Sequence, residues 1–230
     1  MKIMGLQKLT LLDYPEHLAC TIFLGGCNFS CPFCHNRDLV NVDPQAPTVD
    51  EDDFFSLLKK RQGILEGVCI SGGEPLLHAD LPVLISKIKA LGYLVKLDTN
   101  GSYPERLEQL VNQKLVDYVA MDIKNAPDRY AMTAGLKELD LAPIQRSIAF
   151  LKQGVVPYEF RTTLVAEFHD MEAIEAIASW LEGDSPYYLQ CFEDRDTVIQ
   201  QGLHAPTRED ILLFQKRLQT KIPHTYLRGL

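Results

Sequence analysis

Three cysteines, Cys27, Cys31 and Cys34, stand in the stretch GGCNFSCPFCHN over residues 25–36, and no fourth occurs before Cys69. A structural metal site usually closes its coordination with a fourth protein ligand. A cubane iron–sulfur cluster held by only three thiolates leaves one iron without a protein ligand, and that iron can take a substrate while the cluster delivers an electron to it. The spacers Asn28-Phe29-Ser30 and Pro32-Phe33 make a loop short enough to curl around one small cluster, since a chain reaches at most about 3.3–3.6 Å per residue. Two other arrangements use the same thiols. A zinc ion would take His35 as its fourth ligand, an awkward geometry because His35 adjoins Cys34, and a closed electron carrier would recruit Cys69 or Cys191. Otherwise Cys20, Cys69 and Cys191 read as small buried core residues.

Other polar residues recur at intervals that demand a scaffold. Apolar and β-branched runs predict strands over 19–25, 67–71, 93–99, 117–123, 158–165 and 187–192, alternating with helical patterns near 50–61, 80–91, 104–113, 140–153, 171–182 and 207–219. Asp50, Asp80, Asp170 and Thr207 precede four of these helices, where a side-chain acceptor caps free N–H groups. Repeated βα units imply a mostly parallel sheet, either an open doubly wound sheet or a partial (β/α) barrel, which periodicity does not separate. The polar groups follow the strands: GGCN, SGGEP, DTNG, DIKN, Arg161 with Thr163, and Gln190. In parallel βα folds the carboxyl ends of strands carry the site, so one composite active site is expected. No G-x-G-x-x-G follows the first strand and no Walker A lysine motif occurs, so the usual nucleotide cradles are missing.

Composition narrows the partners. The chain has 230 residues, 46% of them hydrophobic, enough to bury one full core. A net charge of −8 without any Lys/Arg-rich run argues against nucleic acid. Six cysteines in a chain of this length, with neither a signal-peptide pattern nor a long apolar run, read as reduced thiols or metal ligands of a cytoplasmic protein that has no membrane span.

Cys27-x3-Cys31-x2-Cys34, with Phe33 before the last cysteine, resembles the signature of the radical S-adenosylmethionine enzymes, and Ser71-Gly72-Gly73-Glu74-Pro75 resembles their second motif. Within that superfamily, GLQKLTLLDYP at 5–15, the cysteine loop and DTNG resemble anaerobic ribonucleoside-triphosphate reductase activating proteins, which install a glycyl radical on a partner. The resemblance covers nearly the whole chain. It implies an α/β partial (β/α)6 TIM-like barrel, a single domain over 1–230, and an oxidoreductase that holds a [4Fe-4S] cluster on Cys27, Cys31 and Cys34. The amine and carboxylate of S-adenosylmethionine would chelate the open iron, and reductive cleavage would yield methionine and a hydrogen-abstracting 5′-deoxyadenosyl radical.

By the same resemblance, backbone groups of Gly72, Gly73 and Glu74 suit the methionyl amine, while Arg161, Asp122 and Lys124 hold carboxylate and ribose. Phe33 contacts adenine, and Gln190 meets the nucleoside. Asp98, Thr99 and Asn100 crowd the third strand end, and Asp98 and Thr99 with Asp122 contribute to a monovalent cation site. Each role has a plainer reading: loop packing for Phe33, an ordinary βα turn for the glycines, a structural ion pair for Asp122 and Lys124, and surface positions for Arg161 and Gln190. The partners implied are a glycyl-radical protein, namely an anaerobic ribonucleotide reductase, and a reduced flavodoxin or ferredoxin as electron donor. The alternative function is a small-molecule reaction like that of 7-carboxy-7-deazaguanine synthase. No auxiliary cluster is expected, because NRDLVNVDPQAPTVD after the loop contains no cysteine.

Overall fold

Short apolar runs become strands here because both of their faces are covered. Ile22, Leu24, Val68, Ile70, Val95 and Leu97 on one face are wholly excluded from solvent, and Thr21, Cys69 and Lys96 on the other are nearly so, the condition met by parallel strands in α/β proteins. The computed structural model describes residues 1–229. Its strands are β1 (Ile3–Thr10), β2 (Ala19–Leu24), β3 (Gly67–Gly72), β4 (Leu94–Thr99), β5 (Tyr118–Asp122), β6 (Tyr158–Leu164), β7 (Tyr187–Cys191) and β8 (Thr225–Arg228). Its helices are α1 (Arg37–Val40), α2 (Glu51–Lys60), α3 (Leu81–Ala90), α4 (Pro104–Asn112), α5 (Tyr130–Thr133), α6 (Ala142–Leu151), α7 (Met171–Leu181) and α8 (Arg208–Gln219).

The chain forms two compact units and passes from one to the other more than once, within β5 among other places. The first holds Met1–Asn28, Asp38–Ala120 and Pro143–Pro157. In it β1 runs antiparallel to β2, and β2, β3 and β4 are parallel, with Ala19 to Leu24 opposite Gly67 to Gly72 and Gly67 to Ile70 opposite Leu94 to Leu97. Helix α3 buries Leu81, Leu84, Ile85 and Ile88, the stripe expected of a helix lying on a sheet. The second unit holds Phe29–Arg37, Met121–Ala142 and the chain from Tyr158 onward. There β6, β7 and β8 are parallel, with Phe160 to Leu164 opposite Tyr187 to Cys191. Helix α7 buries Ala173, Ile174, Ile177, Ala178 and Leu181, and α8 buries Ile211, Phe214 and Leu218.

All the strands and helices expected from periodicity are present, with ends displaced by one or two residues. Strand β1 was not foreseen: Gln7, Lys8 and Leu9 are all exposed, so alternation is lost and pairing with β2 specifies the strand instead. Strand β8, with four residues, is too short to show a period. Asp50, Asp170 and Thr207 cap their helices by accepting from Asp52, Ala173 and Asp210 N–H respectively. Asp80 does not cap α3; Pro82 in the first turn has no N–H, which leaves one donor fewer to satisfy. Cys20 and Cys69 are core residues, whereas Cys191 is only half-buried. Among the described residues no helix is long and apolar enough to cross a membrane.

Candidate active site

In the first unit the carboxyl ends of β2, β3 and β4 are tied together by close backbone approach and one buried carboxylate. Gly73 N–H donates to Leu24 O at 2.9 Å and Glu74 N–H to Gly26 O at 2.8 Å, so the SGGEP segment stays paired with the chain leading into Cys27. Nothing larger than hydrogen fits there. A Cβ on Gly73 would lie 2.0 Å from Gly26 O, and one on Gly72, whose φ is +123°, would lie 2.3 Å from the Leu24 backbone. The Glu74 side chain, fully buried, accepts from Leu76 N–H at 3.0 Å, the Thr99 hydroxyl at 2.9 Å and Asn100 N–H at 2.7 Å. It therefore locks SGGEP to DTNG.

Asn100 continues the network, donating its amide to Asn28 Oδ1 at 2.9 Å and accepting from the Ser102 hydroxyl at 2.6 Å, while Asn28 donates to Ser102 Oγ at 2.9 Å. Asn28 directly follows Cys27 in the chain. Its orientation is thereby transmitted to the residue beside the first cysteine. Asp98 accepts from the Ser71 hydroxyl at 2.9 Å and pairs with the buried Lys96 ammonium.

In the second unit Cys31, Pro32, Phe33 and Cys34 form a turn closed by Cys34 N–H donating to Cys31 O at 2.9 Å, with proline at the second position that such turns favour. The loop is held from several sides. Ser30 N–H donates to Ala134 O at 2.9 Å, and Gln200 N–H donates to Pro32 O at 2.8 Å. Gly135, with φ +72°, lets that contact form, since a Cβ would lie 1.9 Å from Ser30 O. Burial pushes the Cys31 thiol up to about 11, with the Lys124 ammonium acting in the opposite direction. His35 places Nε2 2.6 Å from Glu193 O and stacks on Phe192. That ring nitrogen is thus engaged with a carbonyl oxygen.

Asp122 ends β5 between two cations. Arg161 donates to its Oδ1 at 2.9 Å and Lys124 to its Oδ2 at 3.1 Å. Burial alone would raise the Asp122 pKa, but Arg161 first and then Lys124 bring it down to about 2. The carboxylate is also 31% exposed, so water shares in that stabilisation. Lys124 is held still from its carbonyl side by His169, whose Nε2 lies 3.0 Å from Lys124 O, while its Nδ1 accepts from Val165 N–H at 3.1 Å. Burial lowers the His169 pKa and keeps the ring neutral.

Several sequence expectations change in detail. Arg161 sits in the middle of β6 rather than at its end; it reaches Asp122 because β5 is short and stops there. Phe33 is buried against Phe168 with ring centroids 6.1 Å apart, in keeping with the packing reading. Thr99 turns inward to Glu74, and Gln190 is half-buried on β7. Asn28, Ser102, Lys96 and His169 had not been singled out. Lys96 had a signal: it precedes Asp98 by two residues in a strand, so both side chains share a face.

The donor set suits an iron–sulfur cluster, since Cys27, Cys31 and Cys34 lie in one short loop and none of them is in a disulfide. Among the described residues no group of three His, Cys, Asp or Glu side chains is placed to hold a single metal ion. A cubane asks for a wider arrangement, because each thiolate binds a different iron.

Against known proteins, residues 21–181 match the family model of the radical SAM superfamily. The chain belongs to that superfamily and, within it, to the glycyl-radical enzyme activating enzymes. Protein MJ1227 of Methanocaldococcus jannaschii, named as a glycyl-radical enzyme activating enzyme, is 37% identical over 89% of this chain and 85% of its own. The pyruvate formate-lyase-activating enzyme of Listeria monocytogenes is 27% identical over 86% of this chain and 88% of its own. The crystal structure of Streptococcus suis SuiB bound to S-adenosylmethionine superposes with a TM-score of 0.68 at 13% identity, covering 91% of this chain and 52% of that one. That likeness bears on the fold, a partial TIM-like barrel of the radical SAM type. The superfamily carries a [4Fe-4S] cluster and uses S-adenosylmethionine, and the protein is an enzyme of this class.

Proposed function

We propose that this enzyme installs a glycyl radical on an anaerobic ribonucleoside-triphosphate reductase, using a [4Fe-4S] cluster held by Cys27, Cys31 and Cys34 and taking electrons from a reduced flavodoxin or ferredoxin in the cytoplasm. The observation that carries the reading is the three-thiol loop, on a chain 37% identical to a relative named as a glycyl-radical enzyme activating enzyme. The choice of partner rests on the segment GLQKLTLLDYP at 5–15. We treat residues 1–230 as one catalytic domain.

Cluster and cosubstrate together supply one-electron chemistry able to remove a hydrogen atom from carbon. The chain's part is to bind and orient. Gly73 and Glu74 spend their N–H groups on Leu24 and Gly26, so the turn offers acceptors rather than donors and suits an ammonium group. Arg161 and Lys124 outnumber Asp122 by one positive charge, and that surplus suits the methionyl carboxylate. Asp98, Thr99 and Asn100 support the glycine turn through Ser71 and Glu74. Phe33 shapes the cysteine loop by packing on Phe168, and Gln190 is left to meet the nucleoside.

The test mixes anaerobically reduced enzyme, S-adenosylmethionine and the reductase, with glycine deuterated at Cα in a parallel sample, and records electron paramagnetic resonance. A doublet that collapses on deuteration supports the proposal. A doublet only with pyruvate formate-lyase changes the partner; turnover of a small heterocycle with no protein radical replaces the reading by the deazaguanine synthase type.

A further inference from the structure

Lys96 is an unusual residue to find inside β4. Its side chain is 1% exposed, and it lies opposite Cys69 in the parallel ladder with Nζ 3.9 Å from Cys69 Sγ. A buried ammonium needs a partner to offset its lost hydration. Here the partner is Asp98, two residues on and on the same face of the strand, whose other oxygen accepts from the Ser71 hydroxyl at 2.9 Å. Ser71 opens the SGGEP segment. Lysine, aspartate and serine thus form one chain of contacts from the sheet interior to the glycine turn.

We propose that the Lys96 ammonium is the resident cation at the ends of β3 and β4, so that the chain itself neutralises Asp98 and orients Ser71, and no alkali-metal ion is needed there. The resemblance described above expects Asp98 and Asp122 to contribute to a monovalent cation site. In this chain each of those carboxylates already has cationic side chains of its own: Lys96 on Asp98, and Lys124 with Arg161 on Asp122. A metal ion bound to Asp98 would also sit within about 4–5 Å of the lysine charge. At that range, with an effective dielectric constant near 20, like charges lower affinity by roughly 300- to 1,000-fold. Lys96 is a positioning residue, acting on the glycine turn through Asp98 and Ser71. The ion pair is independent of the partner assignment, and its first test needs no cosubstrate.

Thermal unfolding of the anaerobic holoenzyme is recorded in potassium, sodium and choline chlorides at equal ionic strength, for wild type and for Lys96→Met. Wild type should melt at the same temperature in all three salts, because its cation is covalently present. Lys96→Met takes the buried ammonium away from Asp98, so its midpoint in choline should fall by roughly 10 °C, with saturable recovery in potassium or sodium. Cosubstrate affinity by calorimetry should follow the same rescue, which a purely structural lysine would not produce. Adding Asp98→Asn to Lys96→Met should abolish the cation response. A saturable, cation-specific stabilisation of wild type overturns the proposal, as does a Lys96→Met protein that melts identically in all three salts. Should Lys96→Met fail to fold, Lys96→Gln takes its place under the same expectations, and the wild-type series decides independently.

Discussion

Replacing Glu74 by glutamine changes one oxygen to an amide nitrogen and should nonetheless be among the costlier conservative substitutions in the protein. Glu74 is wholly buried and its carboxylate receives Leu76 N–H, the Thr99 hydroxyl and Asn100 N–H, at 3.0, 2.9 and 2.7 Å. Every one of these groups donates. A glutamine has only one acceptor oxygen, so its NH2 must face either Asn100 N–H or Leu76 N–H, and one backbone donor is left unmet in either orientation. An unsatisfied buried donor costs about 1–3 kcal/mol, and the surviving bonds lose their charge assistance. Relief from burying a carboxylate offsets part of that. The net is about 3 kcal/mol, which for a chain of this size lowers the melting midpoint by roughly 6–12 °C. Differential scanning calorimetry of the anaerobic protein measures it, with Glu105→Gln on the surface as the control. A Glu74→Gln midpoint within about 1 °C of wild type would refute the claim that this carboxylate locks SGGEP to DTNG.

Two further predictions test the site. Alanine at Cys27, Cys31 or Cys34 should abolish cluster-dependent cleavage of S-adenosylmethionine and lower iron content, whereas Cys20→Ala, fully buried within β2 and outside the loop, should keep both; iron analysis and 5′-deoxyadenosine yield decide. His169 has a folded-state pKa below its unfolded value near 6.5, so the native state binds fewer protons. Its contribution is therefore present above pH 6.5 and lost as pH falls below it, at up to about 1.4 kcal/mol per pH unit. Chemical denaturation between pH 7 and 5 should show that slope in wild type and a shallower one in His169→Gln; parallel slopes would mean that the ring is not held neutral.

Much of this architecture was legible in the chain. The spacing of Cys27, Cys31 and Cys34 is a local property, because a few residues of backbone limit how far apart the thiols lie. The parallel strands were equally visible, since burial on both faces demands continuous apolar runs such as ACTIFL and GVCISG. What sequence could not decide was where each polar side chain at a strand end would turn. The sequence leaves Glu74 free to face a ligand or the fold, and the register of β3 and the path of DTNG bring Thr99 and Asn100 to it and bury it completely. Arg161 was placed at a strand end until the short β5 brought Asp122 opposite the middle of β6. Asn28, Ser102 and His169 are ordinary polar residues in the sequence, and they acquire roles only because residues from 45 to 74 positions away supply partners for them. Thiol spacing and strand hydrophobicity are set by covalent geometry and by water. The pairing of polar groups between strands depends on register and strand length, which the whole packed sheet determines.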